Sequence, residues 1–268
     1  MTRPAAMRAE PYNRSNAQGV SQEAGSECTS DSVFDRYSET FVDKLHDNID
    51  FEQTARGYGE YYYDCLPEDR DVRILDVGCG TGLFLRFLEI QGYRLVEGLE
   101  LSAQQAVRAR GHVAFPVHVG NAATFLQERK ESYAAITLND VLEHVPKNKT
   151  VPFLQTLKKG LRADGVLVIN VPNVAGLNTS FVRYNDFTHE LVFTEMSLRQ
   201  VLLMAGFRDI RFIPQQIPFK CTPRHVAYRL ARWLWFRLVH LIYVVEMPGC
   251  KLPTHWQTRL VAVARSSD

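Results

Sequence analysis

The sequence predicts an α/β protein built on a doubly wound sheet, and three observations support this. Short apolar runs rich in β-branched residues alternate with segments that carry apolar residues at helical spacing. Glycines and helix-capping residues separate the two kinds of segment. The chain has 268 residues, 46% of them hydrophobic, which is enough for one sizeable core. Strands that take turns with helices form parallel βαβ units, with helices on both faces of the sheet.

Seven segments are predicted to be strands, because each is short, apolar and bounded by turn residues. Pro116 favours an edge position for the third, since proline cannot donate a hydrogen bond within a sheet. In chain order the strands are VRILDVG (72–78), YRLVEGLEL (93–101), HVAFPVHVG (112–120), YAAITLND (133–140), GVLVINVPN (165–173), RDIRFIPQ (208–215) and TRLVAVARS (258–266).

The helices between these strands have recognisable ends. Ser102 and Thr194 stand where N-caps are expected, and Gly92 and Gly111 close two of the periodic segments. The predicted helices are GLFLRFLEIQG (82–92), SAQQAVRARG (102–111), NKTVPFLQTLKKGLRADG (148–165) and TEMSLRQVLLMAGF (194–207).

Composition shifts along the chain predict five regions. The first is polar and poor in apolar residues, so little there could offset the entropy of ordering. The regions are a disordered tail over 1–32, a helical cap over 33–70, the core over 71–213, a basic aromatic helical insertion over 214–257, and a final core strand over 258–268. In the cap, two interpretations of Tyr37 and Phe41 remain open: they close over the core's ligand pocket, or they take part in ordinary helix packing.

Bulk properties exclude several classes of protein. The formal net charge is +1, so no global field attracts nucleic acid, which is not an expected partner. The five cysteines are widely spaced and form no CxxC pair, which argues against a disulfide framework and a cysteine zinc site. No uninterrupted apolar run has the length of a signal peptide or of a membrane span. We therefore expect a cytoplasmic protein with reduced thiols.

The segment RILDVGCGTG (73–82) has glycine at every second position after a strand, which brings backbone close to a ligand. A P-loop would need Gly-Lys-Ser/Thr, but the chain continues Gly82-Leu83-Phe84. A dinucleotide fingerprint would need glycine at the position of Leu83. A third ligand, S-adenosylmethionine, carries a zwitterionic amino acid end, which requires an acid and backbone groups beside the loop.

LDVGCGTG resembles motif I of the class I S-adenosylmethionine-dependent methyltransferases, and the resemblance spans roughly residues 72–212. LNDVLEHVP (138–146) resembles the branch that contains ubiquinone-biosynthesis O-methyltransferases. The resemblance implies S-adenosylmethionine as cofactor and a Rossmann-like sheet of about seven strands, mostly parallel with an antiparallel last strand.

The resemblance also implies the cofactor contacts. Asp76 would hold the methionine end, the glycines would bend round the cofactor, and Glu100 would bind the ribose hydroxyls. Asn121, in GNAATFL, would meet adenine, although the family commonly has Asp there. The cofactor-binding residues implied are Asp76, Gly78, Cys79, Gly80, Gly82, Glu100, Leu101, Asn121, Ala122 and Asn139. Cys79 is expected to contribute its backbone rather than a nucleophile.

Methyl transfer needs alignment of acceptor and methyl group, and removal of an acceptor proton where there is one. Asp140, Glu143 and His144 form one candidate cluster, with Asp140 and His144 on one face if the fourth strand passes directly into a helix. This cluster is open to two interpretations, a metal site or general base and a polar helix start. We expect no bound metal and keep His144 as a candidate base.

A second cluster lies in RYNDFTHELVFTEMSLRQVLLMAGF (183–207), where Asp186, Thr188, His189 and Glu190 crowd a short loop. DFTHxxxFT resembles methyltransferases encoded with glycan and lipopolysaccharide biosynthesis enzymes. A polar loop over the strand ends is expected to face the acceptor. His189 is the first candidate base, His144 the second and Asp186 the third catalytic candidate. Alternatively, Asp186 and Thr188 tie the loop down through their own hydrogen bonds.

The segment 225–245 combines basic and apolar residues at helical spacing. His225, Arg229, Arg232, Arg237 and His240 gather on one side, and apolar residues including Trp233, Leu234, Leu238, Leu241 and Ile242 cover much of the rest. Such a helix can bury its apolar side on the domain or in a homodimer, or lie peripherally on the inner face of a membrane. We put packing or dimerisation ahead of membrane contact.

The function expected is O-methylation of a small-molecule, glycan or lipid-linked acceptor. Two alternatives remain open from sequence. One is an NAD-dependent oxidoreductase, although no hydride-transfer dyad is recognisable. The other is a non-catalytic scaffold that binds the cofactor and acts through the basic helix.

Overall fold

The computed structural model describes residues 49–176, 179–216 and 222–266. The strands are β1 (Arg73–Val77), β2 (Leu95–Glu100), β3 (Val117–Val119), β4 (Tyr133–Asn139), β5 (Leu161–Pro172), β6 (Arg208–Ile213) and β7 (Arg259–Arg265). The helices are α1 (Phe51–Gly57), α2 (Gly59–Tyr62), α3 (Leu83–Ile90), α4 (Ala103–His112), α5 (Ala122–Gln127), α6 (Lys147–Gly160), α7 (Thr179–Asn185), α8 (Glu195–Met204) and α9 (Pro223–Glu246). A 3₁₀ turn over Leu142–His144 separates β4 from α6.

The seven strands form one sheet in the order β3-β2-β1-β4-β5-β7-β6. Neighbouring strands from β3 to β5 are parallel, and β7 runs antiparallel to both β5 and β6. This confirms the predicted fold class, a mostly parallel doubly wound sheet with an antiparallel last strand. The strand order reverses between β1 and β4, and in such sheets ligands bind beyond the carboxyl ends of the strands at this point.

The sheet is covered on both faces by apolar side chains. One buried cluster is centred on β4 and β5 with α6 and α8, and the other joins β1 to α3, α4 and the N-terminal helices. In the second cluster, the rings of Tyr58 and Tyr62 lie 5.2 Å and 4.6 Å from the ring of Phe84. These aromatic contacts fix α1 and α2 beside the carboxyl end of β1.

Several predicted boundaries are confirmed by specific contacts. Ser102 caps α4 by accepting a hydrogen bond from the Gln105 amide, and Thr194 forms a capping box with Ser197. The strand that follows Pro116, β3, is at an edge of the sheet, as predicted.

The predicted helix over 148–165 extends too far toward the carboxyl end. Helix α6 ends at Gly160, where an added Cβ would meet Leu126 Cδ2 at 2.8 Å. The chain then enters β5, pairs Leu161 with Tyr133, and shifts register before Val166. The polar residues between form an irregularity in the strand rather than a last helical turn.

Helix α9 packs on the domain through the side that carries Arg232, Phe236, Val239 and Tyr243, and only Val239 among the described residues of this helix is buried. Dimerisation or membrane contact through its apolar side stays a prediction. The tail 1–32 and the aromatics Tyr37 and Phe41 lie outside the described residues, and the division into five regions stays a prediction. Across the described ranges, no helix combines the length and apolarity needed to cross a membrane.

Candidate functional site

A cleft of about 1110 Å³ opens at the carboxyl ends of β1, β2 and β4. Nine of the ten residues predicted to bind cofactor line it, as do all three catalytic candidates, His189, His144 and Asp186. The exception is Gly82, which begins α3 and would place a Cβ 3.3 Å from Ala109 Cα of α4. Gly82 therefore allows helices α3 and α4 to approach each other, and its cofactor contact stays a prediction. A second cleft, of about 990 Å³, contains none of the predicted site residues.

The glycine loop adopts a conformation that only glycine reaches without strain. Gly78 has φ +73°, and a Cβ there would lie 2.4 Å from Val141 Cγ2. Gly80 has φ +54°, with Gln105 Oε1 3.2 Å from the position of a Cβ. The Gly78 amide donates to the Leu99 carbonyl at 2.7 Å, which ties the loop to β2. The loop thus presents bare backbone to the cleft.

Asp76, the last residue but one of β1, is a buried carboxylate at the floor of the cleft, 1% exposed. Its Oδ1 accepts hydrogen bonds from Thr137 Oγ1 at 2.7 Å and Asn139 Nδ2 at 3.3 Å. Its Oδ2 is buried and has no hydrogen-bond partner among the described residues. The pKa of Asp76 is raised to about 7, mainly because the carboxyl group is buried. The hydrogen bonds from Thr137 and Asn139 lower this pKa, and the charge of Glu100 raises it. Such a carboxylate favours a cationic ligand group.

Glu100 lies at the end of β2 and is also buried, so it is not a solvated strand-end acid. Its Oε2 accepts from the Gly80 amide at 2.8 Å, and its Oε1 accepts from the Ser102 amide at 2.9 Å. Burial raises the pKa of Glu100, and these backbone hydrogen bonds oppose the rise. The carboxylate therefore joins the glycine loop to the start of α4 at the wall of the cleft.

The other predicted cofactor residues surround these two acids. Asn121 caps α5 by accepting from the Thr124 amide at 2.9 Å, and its carbonyl oxygen retains a second lone pair. Asn139 accepts from the Tyr62 hydroxyl. Cys79 is buried, and burial raises the pKa of its thiol, which disfavours the nucleophilic thiolate. Leu101 and Ala122 supply apolar lining.

Asp140 and His144 do not share a helical face. Asp140 has φ +54° and forms an ion pair with Arg259, the first residue of β7. The segment that follows is a 3₁₀ turn rather than an α-helix, so the predicted i, i+4 spacing does not apply. Arg259 also donates to Asn170 Oδ1 at 2.8 Å, which holds Asp140 at the rim of the cleft.

The loop before α8 brings the second cluster onto the first. The amides of Glu190 and Leu191 both donate to the Glu143 carbonyl at 2.9 Å. As a result the imidazole rings of His144 and His189 meet edge to face, with centroids 4.7 Å apart. From sequence these histidines were separate candidates, and the structure joins them in one wall of the cleft.

A chain of polar contacts connects Asp186, Thr188 and His144. The Thr188 hydroxyl donates to Asp186 Oδ1 at 2.7 Å and lies 2.9 Å from His144 Nδ1. Because the hydroxyl has a single proton and the carboxylate can only accept, His144 Nδ1 must be the donor to Thr188. The neutral His144 ring then has its basic nitrogen at Nε2. Burial, and secondly His189, lower the pKa of His144, which favours this neutral form.

Asp186 and Thr188 also stabilise their own loop, so this alternative interpretation is compatible with the contact chain. The Thr188 amide donates to Asp186 Oδ1 at 2.9 Å, and the His189 amide donates to the Asp186 carbonyl at 3.3 Å. His189 Nε2 lies 3.8 Å from Asp186 Oδ2. Asp186 is thus a buried anchor with both histidines nearby.

Glu143, His144 and His189 form a set whose ligand atoms lie within 4.8 Å of one another. This set differs from the predicted cluster, because Asp140 is held by Arg259 and His189 takes its place. Glu143 is fully buried, and burial together with the charge of Asp140 raises its pKa well above the usual range. The residue types suit a divalent ion, while the raised pKa favours a neutral carboxyl group.

Among the residues not predicted from sequence, Tyr58 reaches the cleft from the segment between α1 and α2, and Arg259 reaches it from β7. Thr137, on β4, supports the cleft from beneath by its hydrogen bond to Asp76. Register on neighbouring strands could have indicated Thr137, which pairs directly with Asp76. Arg259 carries no such signal, because 119 residues separate it from Asp140.

Comparison with known proteins identifies the family. The family described as "Methyltransferase domain" matches residues 39–211. Among curated proteins, the chain is 25% identical over 122 residues to a ubiquinone biosynthesis O-methyltransferase of Neisseria meningitidis, covering 42% of this chain and 49% of that protein. It is 28% identical over 158 residues to a glycine/sarcosine N-methyltransferase of Halorhodospira halochloris, covering 55% and 57%. The chain thus spans about half the length of the curated relatives it matches.

Solved structures support the same fold. A SAM-dependent methyltransferase from Archaeoglobus fulgidus aligns with TM-score 0.55 and 18% identity, covering 87% of this chain and 98% of that one. The 1,6-didemethyltoxoflavin-N1-methyltransferase of Burkholderia thailandensis, solved with S-adenosylhomocysteine, aligns with TM-score 0.52 and 17% identity, covering 89% and 87%. The family match spans more than half of the chain and confirms the resemblance to class I S-adenosylmethionine-dependent methyltransferases: the chain belongs to the methyltransferase-domain family.

Proposed function

We propose that this protein transfers a methyl group from S-adenosylmethionine to an oxygen atom of a small-molecule, glycan or lipid-linked acceptor. The observation that supports this most is the contact chain from Asp186 through Thr188 to His144 at the wall of the cofactor cleft. An oxygen acceptor carries a proton that must leave during transfer, and an oriented neutral imidazole suits that task.

The residues of the cleft fit the cofactor. The buried Asp76 Oδ2 lacks a partner among the described residues, and the cofactor offers a cationic α-ammonium group. Glu100 is an acid at a strand end beside the loop, the position that suits ribose hydroxyls. Gly78 and Gly80 leave a cradle that a Cβ would obstruct. Asn121 keeps a carbonyl lone pair that can accept from the adenine amine.

When bound, S-adenosylmethionine supplies the electrophilic methyl group. Asp76 and the glycine loop hold its amino acid end, and Glu100 fixes the ribose, so that these residues align the donor for in-line transfer. His144 Nε2 accepts the acceptor proton, and the resulting imidazolium keeps its Nδ1 hydrogen bond to Thr188. Asp186, through Thr188, stabilises this charged form.

The structure-based choice of base differs from the order expected from sequence. His189 was the first candidate, but His144 has its tautomer assigned by Thr188 and is the stronger candidate here. His189 contacts the His144 ring and Asp186, so we assign it a positioning role. Phe187, 98% exposed, and Arg183 also line the cleft and would meet an acceptor at its mouth.

Transfer of tritiated methyl from S-adenosylmethionine tests this proposal. The acceptor panel contains a catechol, a nucleotide sugar and a polyprenyl-linked sugar, with glycine as the amine comparator. We expect label in a hydroxyl compound, lost in His144→Gln and reduced in Thr188→Val, while Thr188→Ser retains it. His144→Gln and Thr188→Val should both bind S-adenosylhomocysteine as the wild type does.

Two results would overturn the proposal. Label transferred to glycine alone would identify an amine acceptor. Full transfer by both His144→Gln and Thr188→Val would remove His144 from the chemistry. A third result would favour the scaffold alternative: the protein binds the cofactor, and its biological role survives in both His144→Gln and Thr188→Val.

A further inference from the structure

Helix α9 presents an unusual surface. Five residues at helical spacing, Leu230, Leu234, Leu238, Leu241 and Val245, are each between 49% and 71% exposed. We call these five residues the apolar face. They lie opposite the packed side of the helix, whose Val239 is buried. Soluble surfaces scatter single apolar residues, whereas a continuous stripe of this kind marks an interaction site.

Aromatic residues border the apolar face. Trp233, Trp235 and Tyr228 are each about half exposed and lie on the two flanks of the stripe. Tryptophan and tyrosine are enriched where an apolar layer meets headgroups, because their rings are apolar and their N–H or O–H groups are polar. A wide apolar face with aromatic flanks is typical of a helix that lies in the plane of a membrane surface.

Positive charge strongly outweighs negative charge on helix α9. The segment Pro223–Glu246 contains Arg224, Arg229, Arg232 and Arg237, against the single acid Glu246 at its end. This contrasts with the chain as a whole, whose net charge is +1. The local positive charge complements anionic headgroups, which attract arginine side chains near the surface.

The position of Arg237 distinguishes a membrane from a second copy of this chain. Arg237 is one helical turn from both Leu234 and Leu241, and its guanidinium lies 5.8 Å from the Trp233 ring centroid. Pairing two apolar faces would bury this charge from both copies in an apolar seam, which is costly. On a bilayer, the long side chain can reach the headgroups while its stem stays on the apolar layer.

Helix α9 contacts segments that follow the carboxyl ends of the strands, the same end of the sheet at which the cleft opens. The Tyr243 hydroxyl donates to the Ala175 carbonyl after β5 at 3.1 Å, and Arg232 donates to Gln215 Oε1 after β6 at 3.1 Å. Both acceptors follow the carboxyl ends of parallel strands. Arg259, at the same end of the sheet, lines the cleft. A surface that holds α9 would therefore lie beside the site of the chemistry.

We infer that helix α9 docks this protein on an anionic phospholipid bilayer, with the apolar face and its flanking tryptophans inserted in the interface and the exposed Arg224, Arg229 and Arg237 at headgroup level. The helix lies on the membrane and does not cross it, in keeping with its four arginines. This inference is independent of the acceptor, although docking would bring the cleft within reach of lipid-linked substrates.

Vesicle flotation of the full-length protein tests the inference without reference to activity. The vesicles are phosphatidylcholine alone, or phosphatidylcholine with phosphatidylglycerol. We expect the protein to float with the anionic vesicles, and to bind neutral vesicles at least about tenfold more weakly. Leu234→Glu with Leu238→Glu should abolish flotation. The matched control, Val107→Glu with Leu203→Glu, introduces the same charges at exposed sites on α4 and α8 and should float as the wild type does.

Circular dichroism first establishes that both double variants are folded. The inference is overturned if the wild type stays with the unbound fraction in the presence of anionic vesicles, or if the leucine double variant floats equally well. It is also overturned if light scattering reveals a wild-type dimer that the leucine double variant converts to monomers, since a second copy then occupies the face.

Discussion

The Thr188 hydroxyl lies 2.9 Å from Nδ1 of His144, although 44 residues separate them in the chain. The contact exists because the Glu143 carbonyl accepts from two amides of the loop that follows Thr188. Through this pair the buried carboxylate of Asp186 determines which nitrogen of His144 is basic.

Replacement of Thr188 separates positioning from folding. Thr188→Val keeps the side-chain shape but removes the hydroxyl, so His144 Nδ1 loses its hydrogen bond to that hydroxyl. We expect the methyl-transfer rate to fall about tenfold and that of His144→Gln to fall roughly 10²-fold or more. Thr188→Ser restores the hydroxyl and should restore the rate. Initial rates at saturating S-adenosylmethionine provide the measurement, and equal rates for the valine and serine variants would disprove the positioning role.

The pKa of His144 in the protein without ligand should lie below its ordinary value. Burial and His189 lower it below the ordinary value of 6.5, while Asp186, Thr188 and Asp140 oppose this in part. A general base acts in its neutral form, so kcat should stay constant from pH 8 to about 6.5 and fall only below that pH. NMR titration of the histidine rings, assigned with His144→Gln, checks the pKa directly. A pKa above 7 would contradict the account.

The buried carboxylate of Asp76 is predicted to lower the stability of the folded protein and to strengthen cofactor binding. Its folded pKa is raised from 3.8 to about 7, so its contribution to stability is fully present below the unfolded pKa and is lost as the pH rises through about 7. Asp76→Asn removes the buried charge, and its melting temperature should exceed that of the wild type by a few degrees at pH 8. The difference should shrink toward pH 5.

The same substitution should weaken cofactor binding. A neutral amide attracts the α-ammonium group less than a carboxylate does, so Asp76→Asn should bind S-adenosylhomocysteine at least about tenfold more weakly. In the wild type, affinity should fall as the pH drops through about 7, because protonation removes the charge. Melting curves and titration calorimetry at pH 5.5, 7 and 8 test both effects. A less stable Asp76→Asn at pH 8 would refute the proposed burial cost.

Gly78 tests the geometry of the loop. An alanine there has φ +73° and a methyl 2.4 Å from Val141 Cγ2, so Gly78→Ala should destabilise the protein by roughly 2 kcal/mol or more. Val141→Ala removes the clash but not the backbone strain, and the double variant should therefore recover part of the loss. Urea unfolding of both single variants and the double variant measures this coupling. Strict additivity would mean that the clash is absent.

The periodicity of the sequence was sufficient to predict the sheet. All seven strands could be located because each is a short apolar run bounded by turn residues, and Pro116 identified the edge. The end of α6 was wrong because helical spacing continues past Gly160, while tertiary contact with Leu126 and pairing of Leu161 with Tyr133 decide the boundary. Local patterns do not encode such long-range competition.

The site was predictable only where a motif is contiguous. Asp76, Glu100 and the first two glycines follow from one loop and one strand end. The Asp140–Arg259 ion pair and the contact between His144 and Thr188 depend on strand order and on a loop anchored by backbone hydrogen bonds. The side of helix α9 that packs on the domain could not be chosen from sequence either, because an amphipathic pattern does not tell whether its apolar side meets the domain, a second copy or a membrane.

Calorimetric titration with S-adenosylhomocysteine, with NAD as comparator, tests the central claim most directly. The account predicts saturable binding of S-adenosylhomocysteine that Glu100→Ala greatly weakens, and no comparable heat with NAD. The cleft's acids and glycine cradle would then be a cofactor site. Absence of binding, or a preference for NAD, would contradict the account and favour an oxidoreductase.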